Sequence, residues 1–307
     1  MEDMRAVEEA VQDELRQGKK PLTLFMLGGV DVGKTYTVTA IANRFYEHGL
    51  TVAVVDADVG QSDIGPPCCI GMGILDREIQ KLSEVPLHSL YFVGNTSPER
   101  GMQDCITGAA AAVQEAKKCD ADLILVDSTG WIEGEDAKRF KLLEIKGIDP
   151  SLVVAIERED ELKHILPHLP QKVIRLRISP ETRSRTREER RALREEGYKS
   201  YFRAAKERSF DLSLLAWLPE RGTLLGLSGS IRGDNDDGEE TLGLGILREV
   251  DYERGKAVVF TPVNADTGDK AGIKGIKPGG VKLITVNGEL KEVKSSWYPI
   301  KPSNHRD

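Results

Sequence analysis

Apolar and polar positions fall into two regimes along this chain. Over roughly the first two hundred residues, short apolar runs alternate with longer segments in which apolar residues recur at threes and fours. Residues 2–17 put Val7, Val11 and Leu15 on one stripe, which predicts an amphipathic helix. The run 21–27 (PLTLFML) is apolar almost throughout and ends in glycines, as a strand buried on both faces would be. Residues 34–48 read as a helix stopped by Gly49. Runs at 51–58, 89–94, 121–130, 151–157 and 172–179 read as strands, and the alanine-rich stretch 101–118 as a helix. Alternating strands and helices predict an α/β fold with a mainly parallel sheet flanked by helices.

The second regime begins after about residue 209. Between Gly222 and Gly288 lie 14 of the 30 glycines, separating short β-like segments such as KAVVFTPV and GVKLITVNG. This pattern predicts a small β-rich C-terminal module. The expected organisation is an N-terminal helix over 1–20, a nucleotide-binding domain over 21–209 and a β-rich domain over 210–307. The acidic stretch 233–240 reads as a solvated loop, because its spacing fails the helix–loop–helix calcium pattern.

Composition narrows the picture. With 39% hydrophobic and 30% charged residues, the 307-residue chain can bury a core. No apolar run approaches the ~18 residues that span a bilayer, and the N-terminus lacks the basic start and apolar stretch of a secretory signal. Both point to a cytoplasmic protein with no membrane partner. Cys68 and Cys69 are adjacent, Cys105 and Cys119 are isolated, and the absence of C-x-x-C argues against a zinc site or a redox dithiol. The net charge of −7 argues against a protein that coats nucleic acid. Any polyanion must therefore meet a local basic patch. Residues 183–208 supply one, with ten Lys/Arg against five Glu.

The strongest chemical signal is Gly28-x-x-x-x-Gly33-Lys34-Thr35, placed between a predicted strand and a predicted helix. In such a cradle the backbone of Gly28, Gly29, Val30, Asp31, Val32 and Gly33 turns N–H groups toward phosphate oxygens, and the helix beginning at Lys34, Thr35 and Tyr36 adds its positive end. Lys34 meets the β- and γ-phosphates, and Thr35 offers a hydroxyl to Mg²⁺. The cradle thus predicts a nucleotide's phosphates and Mg²⁺ as ligands. Carboxylates at strand tips complete the picture: Asp56 and Asp58 after the second strand, Asp127 after a later one. Such a group can support the metal or orient and deprotonate an attacking hydroxyl.

Two classes of activity share this cradle, a nucleotide switch and a phosphotransferase. The N-K-x-D motif of switch GTPases is absent, and the cradle lacks the extra lysine of partition-type ATPases. Trp131 directly follows Gly130 at a strand tip, where its ring offers a stacking face for a base. Arg183, Arg187, Arg190, Arg191 and Arg194 recur at threes and fours on a predicted helix, as in a lid over about 181–208 that closes on a transferring phosphate. The alternatives to transfer onto a nucleotide-bearing acceptor are a switch or assembly ATPase that binds a protein partner, and a small-molecule kinase or ligase.

Five elements in order, GGVDVGKT, DADVGQSDIGPP, GNTSP, DSTGW and RRALR…YKSYF, resemble those of the polynucleotide 5′-hydroxyl kinase family, the P-loop RNA kinases related to the pre-mRNA cleavage-complex and ribosomal-RNA-processing kinases. The resemblance spans about residues 21–205. It implies ATP- and Mg²⁺-dependent phosphorylation of the 5′-OH end of RNA or DNA. Carried over by position, Asp58 activates the 5′-hydroxyl, Asp56 and Asp58 join Thr35 near the metal, and Gln61 takes a polar role there. Thr96 and Trp131 clasp the terminal nucleotide, and Arg190 with Arg194 forms the lid pair. The aromatic pair Tyr201–Phe202 lies further from the arginines than the family pattern, which leaves Arg187 and Arg191 as an alternative pair. Asp127 stands where some members carry Asn. Eukaryotic members have a β domain before the cradle, and here about twenty residues precede it.

Overall fold

The side chains of one strand, β1 (Leu22–Gly28), show how the domain is layered. Leu22, Leu24 and Met26 pack into one buried cluster, and Phe25 and Leu27 into another. An apolar run of period two, buried on both faces, is what a central parallel strand requires. The structure, a computed structural model, describes residues 2–178, 183–229, 240–264 and 272–294. It divides into two units, 1–197 and 198–307.

The first unit holds a seven-stranded sheet in the order β4-β3-β2-β5-β1-β6-β7. The remaining strands are β2 (Val52–Ala57), β3 (Cys69–Ile74), β4 (Leu87–Phe92), β5 (Leu123–Ser128), β6 (Leu152–Glu157) and β7 (Lys172–Arg177). β2, β5, β1, β6 and β7 pair in parallel, and β3 and β4 add antiparallel strands at one edge. On one face lie α1 (Glu2–Arg16) and α2 (Lys34–Glu47), which bury Val7, Val11, Val38, Ile41 and Phe45. On the other lie α3 (Met102–Lys118) and α4 (Glu135–Ile148), with Ala109, Val113, Phe140 and Ile145 inward. Each such aliphatic or aromatic side chain contributes about 1.5–3 kcal/mol on burial. The α/β fold with a mainly parallel sheet is as the sequence predicts.

Two elements of this unit differ from the sequence reading. β3 carries Gly71 and Gly73, which dilute its apolar pattern, and α4 buries Lys141 and Glu144 on its inward face, which interrupts its helical periodicity. Along α5 (Arg187–Tyr201) only Tyr198 is buried. A helix without an apolar stripe depends on polar contacts for its position.

The second unit is a six-stranded antiparallel sheet in the order β13-β12-β9-β10-β11-β8. Its strands are β8 (Lys206–Asp211), β9 (Thr223–Gly229), β10 (Glu240–Asp251), β11 (Lys256–Thr261), β12 (Ile273–Val286) and β13 (Glu289–Lys294). Leu225, Leu227, Val259 and Ile276 lie in its core. β8 pairs with β11, so residues 206–208, read from the sequence as the end of the lid, belong to this sheet together with Ser209. A charged edge strand with a single buried apolar residue, Phe210, carries little strand signal. Apart from Glu240, the acidic stretch 233–240 lies outside the described residues, as do lid positions 181 and 182.

One glycine fixes the edge of the first sheet against the loop that follows β2. A Cβ at Gly71 would sit 1.8 Å from the carbonyl oxygen of Ile64. Gly71→Ala is expected to lower stability by roughly 2 kcal/mol or more, because backbone rather than a flexible side chain must yield. Urea unfolding followed by circular dichroism checks this, and an unchanged midpoint would contradict it.

Candidate active site

The cradle is built at the C-terminal end of β1, where the chain turns into α2. Gly33 takes the left-handed conformation with φ 94°, which a side chain would strain. Gly28 has the Ile156 carbonyl 2.6 Å from where a Cβ would stand, and Gly130 has the Val30 backbone at 2.7 Å. The two strand tips are therefore pressed against the loop, and only glycine fits there. Lys34 is buried, and its Nζ donates to the carbonyls of Gly28 at 3.1 Å and Gly29 at 2.7 Å. Burial lowers the Lys34 pKa, while Asp127, Asp58 and Asp31 pull it back up. Val32 is buried, and Val30 and Tyr36 are exposed at 50% and 78%.

Thr35 and Asp127 form the candidate metal centre. Thr35 Oγ1 donates to Asp127 Oδ2 at 2.6 Å, and Asp127 Oδ1 is buried with no hydrogen-bond partner. Burial pushes the Asp127 carboxyl up to about 6, against the pull of Lys34 and Thr35. A buried carboxylate oxygen without a donor, beside a hydroxyl, is the donor set a hard cation takes. The pair fits Mg²⁺.

Asp56, expected from the sequence near the metal, has both carboxylate oxygens engaged by the loop that follows β2. Its Oδ1 accepts from the Asp58 N–H at 3.1 Å. Its Oδ2 accepts from the Asp63 and Ile64 N–H groups at 2.5 and 2.9 Å and from Ser62 Oγ at 3.3 Å. Both oxygens are occupied by the loop that follows β2. Burial, with Asp63 and Asp127 nearby, raises its pKa well above the usual range. Asp56 thus shapes the loop, and the loop presents Asp58 and Gln61.

Those two residues, the cradle and the arginine segment meet around one cavity of about 750 Å³. Val30 to Tyr36 line one wall, Asp58, Gln61 and Asp63 a second, and Arg183, Arg185, Glu189, Ala192 and Leu193 the third. Asp31 ties the first wall to the third: its Oδ2 accepts from the Arg185 N–H at 2.7 Å and lies 3.5 Å from Arg190 Nη2. Gln61 ties the second to the third by donating from Nε2 to the Arg190 carbonyl at 3.2 Å. Arg194 Nη1 reaches the Gly60 carbonyl at 3.5 Å. Arg191 pairs instead with Glu195 at 3.1 Å, one turn along the helix.

The nucleotide-clasping residues are placed differently. The Thr96 carbonyl lies 2.8 Å from where a Gly60 Cβ would stand, so the Thr-Ser-Pro element packs on the Asp58–Gln61 loop. Trp131 is half-buried, packs its ring 5.7 Å from that of Phe140 and joins the core cluster. It is not among the residues that line the cavity, and neither are Thr96, Arg190 and Arg194. Behind the cradle lies a network that sequence reasoning missed. Lys141 Nζ donates to Ser128 Oγ at 3.0 Å and to Glu144 Oε2 at 2.9 Å, and Ser128 Oγ donates to the Met26 carbonyl at 2.6 Å. The available signal was two opposite charges three residues apart on the inward stripe of α4.

Asp127 gives a prediction of opposite signs. A buried carboxyl whose pKa is raised favours folding most below its unfolded value near 3.8, and that contribution is lost as pH rises through about 6. At pH 7.5 the metal-free protein carries the cost, on the order of 3 kcal/mol. Asp127→Asn should therefore stabilise the metal-free protein at pH 7.5 and not at pH 4, while weakening Mg²⁺-dependent nucleotide binding. Urea unfolding at both pH values and nucleotide titration with and without Mg²⁺ check the two halves.

Comparison with known proteins agrees with this geometry. The family described as the mRNA cleavage and polyadenylation factor CLP1 P-loop matches residues 28–204. A polyribonucleotide 5′-hydroxyl-kinase of Methanocaldococcus jannaschii is 30% identical, over 90% of this chain and 90% of that protein. Another, from Pyrococcus furiosus, is 38% identical over 63% of this chain, which spans about half (54%) of that protein's length. Among solved structures, the wild-type Clp1p–Pcf11p complex has a similar fold, with TM-score 0.67 at 12% identity over 91% of this chain and 78% of that one. With the cradle and the arginine segment both inside the matched span, the chain belongs to the CLP1 P-loop family.

Proposed function

We propose that this protein is a polynucleotide 5′-hydroxyl kinase that transfers the γ-phosphate of ATP to the 5′-OH end of RNA, with DNA as a second acceptor. The observation that supports this reading is the convergence on one cavity of the cradle, Asp58, and the arginine segment, with Arg183 and Arg185 on its wall and Arg190 and Arg194 just behind it. Transfer needs an acceptor-activating group and a cationic wall facing the same phosphoryl group. The relatives named as polyribonucleotide 5′-hydroxyl-kinases support the same assignment.

The roles follow from the contacts. Lys34 exchanges the Gly28 and Gly29 carbonyls for phosphate oxygens. Thr35 and Asp127 hold Mg²⁺, which supplies charge neutralisation at the β- and γ-phosphates. Asp58, half-buried on the cavity wall, orients the incoming hydroxyl and takes its proton. Arg190 and Arg194 stabilise charge on the transferring group after leaving their present partners, Asp31 and the Gly60 carbonyl. Gln61 couples Asp58's loop to that movement through the Arg190 carbonyl. Closure of the helix removes water, which favours transfer over hydrolysis. Tyr36, exposed at the cavity edge, offers a face for a base.

End-labelling of matched 5′-OH RNA and DNA oligonucleotides with γ-labelled ATP tests the assignment. Lys34→Ala should abolish label transfer. Arg190→Ala should lower kcat on the order of 10³-fold, as loss of a charge-stabilising arginine does, with a much smaller change in the KM for ATP. Hydrolysis of ATP with no label on either oligonucleotide would overturn the kinase reading and favour a partner-binding ATPase.

A further inference from the structure

The fold brings His88 to a pair of ligating side chains, Glu115 and Cys119, that lies about thirty residues further along the chain and outside the nucleotide cavity. His88 lies near the start of β4, the edge strand of the first sheet, and Glu115 and Cys119 lie one turn apart at the C-terminal end of α3. His88 Nε2 is 3.3 Å from Cys119 Sγ and 3.8 Å from Glu115 Oε1. One ligand atom from each residue lies within 4.8 Å of the others. Zinc bonds of about 2.3 Å to sulfur and about 2.0–2.2 Å to nitrogen and oxygen give tetrahedral edges of roughly 3.3–3.6 Å. The observed edges depart from these by no more than a side-chain adjustment.

The chemistry of the three groups narrows the metal. A thiolate, an imidazole and a carboxylate suit Zn²⁺ and are poor for Mg²⁺ or Ca²⁺, which take oxygen ligands. Glu115 and Cys119 share a helix face at i, i+4, so the two ligands are presented together before His88 is added. Lys118 Nζ lies 3.5 Å from Glu115 Oε2, so an outer partner holds the second carboxylate oxygen while Oε1 faces the imidazole. Placement separates this cluster from the nucleotide cavity. β2 runs toward the cradle, β3 runs back, and β4 runs toward it again, so the start of β4 is at the far end of the sheet. α3 leaves the cradle end and finishes beside His88.

We propose that His88, Glu115 and Cys119 form a three-ligand zinc site, with water in the fourth position, that clamps the end of α3 to the edge strand β4. Binding takes the proton from the Cys119 thiol and releases it to solvent, since the thiolate is the ligand. The absence of C-x-x-C does not bear on such a site, because two of its three ligands are not cysteines and the third pairing is made only by the fold.

Cobalt serves as the spectroscopic probe on the full chain, freed of metal by chelation and kept in millimolar Mg²⁺ to occupy oxygen-rich sites. The expected result is saturation at one Co²⁺ per chain, with tetrahedral visible bands and a near-ultraviolet thiolate charge-transfer band, both abolished by added Zn²⁺. Cys119→Ser should remove the charge-transfer band. His88→Ala and Glu115→Gln should each weaken Co²⁺ binding by at least the roughly 10–100-fold that loss of an outer-shell partner costs. Zn²⁺ should raise the melting temperature of the parent protein and leave Cys119→Ser unchanged, with the two metal-free melting temperatures alike. Cys68, Cys69 and Cys105 are buried and do not offer a competing thiolate. Binding to the parent no tighter than to Cys119→Ser, or a cobalt spectrum without the charge-transfer band, would overturn the proposal.

Discussion

A single buried carboxylate, Asp56, sets the shape on which the candidate active site depends. It stands at the end of β2 beside Asp127 on β5, its register partner. Among the described residues no cation pairs with it. Its two oxygens instead receive three backbone N–H groups and a serine hydroxyl from residues 58–64. A buried carboxyl is costly unless such donors converge on it. Here they convert an otherwise irregular loop into a rigid turn. The turn aims Asp58 and Gln61 at the cavity and packs Gly60 under the Thr96 carbonyl.

The arginine helix is held by what it must eventually release. Its apolar content is too low to dock it by burial. Its position over the cavity comes from Asp31 in the cradle and Gln61 in the Asp56-shaped turn. Both are polar contacts at a half-exposed surface, weak enough to be exchanged for contacts to phosphate. The cradle itself rests on firmer support. Under it the Lys141–Glu144 pair and Ser128 tie α4 to the tips of β5 and β1 in a fully buried network. Lys141 also lies 5.1 Å from the Phe140 ring centroid and 5.5 Å from that of Phe25. A rigid floor and an exchangeable roof suit a site that must grip one phosphate chain while admitting a second substrate.

Much of this was legible in the sequence because it is local. The glycine-rich loop with Lys34 and Thr35 encodes its own geometry, and the apolar runs of β1, β2, β5 and β6 announce strands buried on both faces. Less legible were elements whose inward faces carry something other than aliphatic residues. β3 is interrupted by glycines that make room for Ile64 and for Pro86, α4 by a buried ion pair, and β8 by the charges of an edge strand. The packing of Trp131 was equally hidden, since its ring lies against Phe140 on α4, a helix the apolar pattern concealed.

The amino-acid sequence alone determined that a phosphate-binding loop would sit at the tip of a mainly parallel sheet, followed by a cationic helix and a β-rich module. Periodicity and short motifs act over a few residues, and those suffice for a strand, a turn or a helix start. Tertiary structure decided which carboxylate serves Thr35 and which braces a loop, since Asp56 and Asp127 end similar strands and differ only in the donors that reach them. It also decided that Asp31 would hold the arginine segment and that His88, Glu115 and Cys119 would meet. The pairs Thr35–Asp127, Asp31–Arg185 and His88–Cys119 lie tens to more than a hundred positions apart, and only the packing of whole elements brings such groups within bonding distance.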